Sequence, residues 1–71
     1  MYEKYIYPEI VNQCRLKKWS MARLSEETMI CLPSLREKMN GRRHFYLDEV
    51  ITIHKVLNCG LPVEELFKKK Q

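Results

Sequence analysis

Seventy-one residues, 45% of them apolar and only two of them glycine, suffice for one folded domain and leave no room for a second. A chain of this length buries roughly 60% of its unfolded surface, which argues against a deep, water-free catalytic pocket and favours a binding module. The net charge of +4 is uneven: eight Lys or Arg stand against three acids between Arg15 and His44, three lysines follow at 68–70, and the remainder is acidic. Such a zone suits a phosphate backbone, or simply a solvated basic surface.

Residues 1–7 carry Tyr5 and Tyr7 alternating with Ile6, the pattern of a short extended arm. Residues 1–10 hold no apolar run behind their charges, so no secretion signal is read there. Pro8 fits the first turn of a helix, and Ile10, Val11, Cys14 and the stem of Lys18 recur at helical spacing, predicting a helix over 8–17. Ser20 is an N-cap for a second, short helix over 21–27 with Met21, Leu24 and Ser25 on its apolar face. Thr28, Met29 and Ile30 lead into a third helix over 32–39, opened by Pro33 and ended by Asn40-Gly41. A basic and aromatic connection, Arg42 to Tyr46, follows; its His44, Phe45 and Tyr46 either flank a ligand or pack as a loop. Leu47, Val50, Ile51, His54 and Leu57 share one face of a fourth helix, closed by Asn58-Cys59-Gly60. Pro62 opens a last turn or two over 63–67, anchored by Leu66 and Phe67.

The expected fold class is therefore all-α, five helices joined by short loops. Met21, Leu24, Leu35, Met39, Val50 and Ile51 are its expected core, with Trp19 plugging the start of the second helix and His54 half-buried on the fourth. No segment approaches the roughly 20 apolar residues of a membrane span. The three cysteines form no Cys-x-x-Cys pair and neither histidine stands at zinc spacing from one, so they read as reduced thiols in a cytoplasmic protein without a metal or other cofactor. Catalysis has no support: Glu26-Glu27, Asp48-Glu49 and Glu64-Glu65 are adjacent pairs pointing different ways, and no nucleophile arrangement or glycine-rich phosphate loop occurs. The protein reads as no enzyme.

Trp19-Ser20-Met21-Ala22-Arg23-Leu24-Ser25, then Leu35-Arg36-Glu37-Lys38-Met39-Asn40-Gly41-Arg42, then Phe45-Tyr46-Leu47-Asp48-Glu49-Val50 and Leu61-Pro62-Val63-Glu64-Glu65-Leu66-Phe67 follow one another in an order that resembles the lambda-repressor-like (XRE-type) regulators, in their short prophage form. The resemblance spans 8–67 and implies a compact five-helix domain with a helix-turn-helix there, an N-terminal arm at 1–7 and a basic tail at 68–71. It further implies sequence-specific binding of double-stranded DNA by a repressor-like transcription regulator acting as a homodimer. The chain departs from that pattern at Met29, where the family usually has glycine, and at Met21, where it often has a polar residue.

Carried onto this sequence, the resemblance makes Ser20, Met21, Leu32, Pro33, Ser34, Arg36, Glu37, Lys38, Asn40, Arg42 and Arg43 the candidate DNA-binding residues. Ser34 and Glu37 are the groups best placed for base edges, and Leu32 and Pro33 offer only apolar contact, for example to a thymine methyl. Arg36 and Lys38 are expected to clamp phosphates, with Asn40, Arg42 and Arg43 touching the backbone beyond the helix. The same basic residues also suit an ordinary solvated face, and Glu37 suits a surface ion pair. Tyr2, Tyr5, Tyr7 and Phe67 are expected to contribute to the homodimer contact. The alternative from another class is a protein–protein adaptor that keeps the fold without base readout, favoured by an apolar patch of Met29, Leu32 and Pro33.

Overall fold

Pro8 opens the first helix of the computed structural model, which describes residues 5–69. Among the described residues there are five helices and no strand: α1 Pro8–Leu16, α2 Met21–Thr28, α3 Leu32–Met39, α4 Leu47–Leu57 and α5 Val63–Leu66. No helix of the described residues is long and apolar enough to cross a membrane.

The stops have local causes. After α1 the Trp19 N–H donates to the Cys14 carbonyl at 2.8 Å and the Lys18 N–H to the Arg15 carbonyl at 3.1 Å, with Lys18 in the left-handed region at φ 61°. This pairing satisfies carbonyls that the helix end would otherwise orphan. The end of α3 repeats it, the Arg42 N–H reaching the Glu37 carbonyl at 3.0 Å across Gly41 at φ 87°. Gly41 is required there for a second reason: a Cβ on it would lie 3.0 Å from Ile6 Cδ1. Ser20 caps α2, its Oγ accepting from the Arg23 N–H at 3.2 Å. Between α2 and α3, Met29 takes φ 61° with its side chain 92% exposed. Its Cβ adopts the strained conformation that glycine would take freely. The turn is tied from beneath, Thr28 Oγ1 donating to the Leu24 carbonyl at 2.7 Å and Ser25 Oγ donating to the Ile30 carbonyl.

Ile10, Val11 and Cys14 of α1, Met21 and Leu24 of α2, Leu35 and Met39 of α3, Ile53 and Leu57 of α4 and Leu66 of α5 make one buried cluster. Helix α2 packs on α3 and α4, and α5 packs on α4 and α1. Trp19 leans on the core while Lys17 and Arg23 stand 5.4 and 5.2 Å from its ring centre. His54 is half-buried, its Nε2 lying 2.6 Å from the Leu61 carbonyl oxygen.

Two expectations need correction. Val50 is only half-buried and Ile51 is 45% exposed, because α4 turns its Ile53–Leu57 side inward and leaves Leu47 and Ile51 outside. Tyr5 and Tyr7 do not project as contact residues; both are buried in the core. Tyr7, Phe45 and Phe67 meet edge-on, with ring centres 5.4, 5.8 and 5.5 Å apart, and the Ile6 N–H donates to the Met39 carbonyl at 2.9 Å. Aromatic edge-to-face contacts reward this closure, so these rings are spent inside the protomer. Tyr2 lies outside the described residues.

The cysteines separate by environment. Burial pushes the Cys14 thiol up to about 11, against a small opposing pull from Lys17, whereas Cys31 is exposed and Cys59 half-buried. The thiolate is the reactive form. A disulfide-exchange reagent at neutral pH is expected to modify Cys31 first, Cys59 more slowly and Cys14 only on unfolding; Cys14 reacting as fast as Cys31 contradicts this packing. Because the folded value lies above the unfolded thiol's value of about 8.5, the contribution of Cys14 is intact below that pH. It is lost as pH rises towards about 11.

Candidate nucleic-acid interface

Helix α3 owes its orientation to Leu35 and Met39, both fully buried, and to Leu32, half-buried against the core. Steps of 100° per residue then carry Pro33, Arg36, Glu37 and Asn40 to the opposite side. Pro33 and Arg36 are exposed, and Ser34, Glu37 and Asn40 are half-buried. The turn at Gly41 brings Arg42 and Arg43 back beside this face, both exposed. Asn40 Oδ1 accepts the Arg42 N–H at 3.1 Å, which fixes the path of that turn. Arg43 Nη1 stands 3.5 Å from both Ser34 Oγ and Glu37 Oε1, joining loop and helix into one cluster. Contacts this long and this exposed add little to stability, and they leave the guanidinium free to exchange partners. Among the described residues Arg36 and Arg42 have no acidic partner.

Lys38 is not part of this surface, and its assignment as a phosphate clamp is corrected. Its side chain is 2% exposed, its ammonium donates to both carboxylate oxygens of Glu49 at 2.7 and 2.6 Å, and it lies 4.4 Å from the Tyr46 ring centre. Burial works to raise the Glu49 carboxyl, but hydrogen bonds from Lys38 and the Tyr46 N–H, with the charges of Lys38 and Arg43, outweigh it and hold the group below its ordinary value. The pair joins α3 to the start of α4. Met21 is likewise corrected: it is 5% exposed and belongs to the core, whereas Ser20 beside it is exposed.

A shallow depression of about 390 Å³ adjoins the α3 face, lined by Met29, Cys31, Ser34, Arg43 and Tyr46 with the Lys38–Glu49 pair in its wall. In the connection after α3, His44 and Tyr46 are exposed and Phe45 packs inward. Tyr46, 61% exposed over the Lys38 ammonium, is the surface group that sequence patterning missed as an individual. Its only signal was its place in the basic and aromatic run. Among the described residues no three His, Cys, Asp or Glu side chains stand together as a metal-binding group.

Comparison with protein-family models, with curated proteins and with solved structures gives no match.

Proposed function

We propose that this protein binds double-stranded DNA, with α2 and α3 acting as a helix-turn-helix of the lambda-repressor-like kind and α3 as its recognition helix. The observation that carries this reading is the outward side of α3 with the loop after it. Ser34, Arg36, Glu37, Asn40, Arg42 and Arg43 share that surface, and two of its arginines lack an acidic partner among the described residues. In this role Arg36, Arg42 and Arg43 hold phosphates, Ser34 and Glu37 meet base edges, and Pro33 makes apolar contact. Phosphate binding competes with Glu37 for Arg43, which frees the carboxylate to accept from a cytosine amino group. Paired protomers on half-sites about one helical turn apart supply the affinity that one small module lacks, as in a repressor-like, prophage-type transcription regulator.

Arg42→Ala and Arg43→Ala are each expected to weaken binding to every duplex alike. The salt dependence should flatten by roughly one logarithmic unit per lost phosphate contact. Ser34→Ala and Glu37→Ala are expected to change preference instead, at about 1–3 kcal/mol on the best site and less elsewhere. Titrating each variant against a specific and a scrambled duplex separates the two effects.

The exposure of Met29 at 92%, on the rim of a depression it shares with exposed Tyr46, favours a second reading as a protein adaptor. For an adaptor the arginine variants change little, and Met29→Asp abolishes a protein partner while weak DNA binding persists.

A further inference from the structure

We infer that the outward face of α4 pairs with the same face of a second copy of this chain, antiparallel about a twofold axis near Ile51 and Thr52. Helix α4 has two apolar sides. Ile53 and Leu57 are fully buried, whereas Leu47 and Ile51, one turn apart, are 75% and 45% exposed. Helical stepping puts His54 and Asn58 on the continuation of that outer stripe. There α4 meets the loop to α5, and His54, Lys55, Asn58, Gly60, Leu61 and Pro62 line a shallow hollow of about 550 Å³. The 2.6 Å contact of His54 Nε2 with the Leu61 carbonyl oxygen holds that loop to the helix. The stripe thus carries an exposed leucine at its N-terminal end and a hollow at its C-terminal end. In an antiparallel pair each Leu47 meets the other copy's hollow, twice by symmetry. A parallel pair sets Leu47 against its own copy and leaves both hollows empty.

Charge selects the same arrangement. Asp48 and Lys55 flank the stripe on one side, both are exposed, and among the described residues neither has an ion-pair partner. The twofold sets Asp48 opposite the partner's Lys55 and Lys55 opposite the partner's Asp48. Rim pairs of this kind fix orientation more than affinity. One helix face and one loop form a small patch beside the roughly 800 Å² per partner of a stable interface, so the association is weak and concentration-dependent. The stripe gives the proposed regulator its pairing surface: Leu47, Ile51, His54 and Asn58 lie apart from the α3 face, although Asp48 and Thr52 at its edge line the depression beside that face, and the pairing stands without DNA binding.

Sedimentation of the full chain without DNA, from low to high micromolar concentration, tests the pairing independently of any duplex. The wild type is expected to pass from monomer to dimer, while Leu47→Asp and Ile51→Asp remain folded by circular dichroism and monomeric throughout. Asp48→Lys and Lys55→Asp are each expected to weaken the dimer about two- to tenfold, and the double reversal to restore it. A wild type that stays monomeric at high micromolar concentration overturns the proposal. So does a dimer that survives both aspartate variants, or a double reversal no stronger than its single parents.

Discussion

Leu35→Ala is expected to be strongly destabilising and, at the upper end of its cost, to leave about half the population unfolded at room temperature. Leu35 is fully buried where α3 meets the core, alongside Leu24 and Met39, so truncation removes its own transfer free energy and leaves a void lined by neighbours that cannot all move. Such substitutions cost roughly 2–5 kcal/mol. A small domain has only about 5 kcal/mol in total, so the loss takes between about two fifths and all of it. Ile51→Ala, on the outer side of α4, is expected to stay within about 0.5 kcal/mol in dilute protein, where no second copy covers it. Urea unfolding of the two variants side by side checks both, and equal losses contradict the packing of α3 and α4.

The second large effect falls on the Lys38–Glu49 pair. Glu49→Ala strands a lysine ammonium that is 2% exposed, and removing one partner of a buried pair costs roughly 3–5 kcal/mol. Lys38→Met is expected to cost less. It keeps the volume of the stem and leaves a carboxylate that is 17% exposed and still accepts the Tyr46 N–H. A larger loss for Lys38→Met than for Glu49→Ala contradicts this account. The pair also sets a pH dependence. Glu49 is held below its ordinary value, so its contribution is full above the unfolded carboxylate value of about 4.3 and is lost as pH falls through the lower folded value. The gap in stability between the wild type and Glu49→Gln is therefore expected to narrow in acid.

Helix limits were legible because their causes are local: Pro8 and Pro33 open first turns, Ser20 caps α2, and Asn40-Gly41 ends α3. The inward side of α4 was not legible, because Leu47 with Ile51 and Ile53 with Leu57 are both apolar pairs one turn apart. Periodicity cannot choose between two such stripes; packing on α2 chooses. Lys38 escaped for a related reason. A lysine on a short basic helix reads as solvated, and its partner Glu49 lies eleven positions away on another helix, beyond any local spacing rule. The tyrosines of the arm read as surplus surface until Phe45 and Phe67 were seen to meet Tyr7. Of the candidate interface, Arg36, Glu37, Arg42 and Arg43 could be named in advance, since outward residues follow once Leu35 and Met39 face inward. The tie from Arg43 to Ser34 and Glu37 could not, because it depends on the turn at Gly41.

Selection from a random duplex library, followed by titration of the enriched and a scrambled duplex across a range of salt, tests DNA binding through α3 most directly. The account predicts a recurrent sequence bound about a thousandfold or more tighter than the scrambled duplex. Its affinity should fall with salt at a logarithmic slope of about 0.9 per phosphate held, and flatten in Arg42→Ala and Arg43→Ala. If no duplex is preferred over the scrambled one even at low salt, α3 is not a recognition helix and the adaptor reading takes its place.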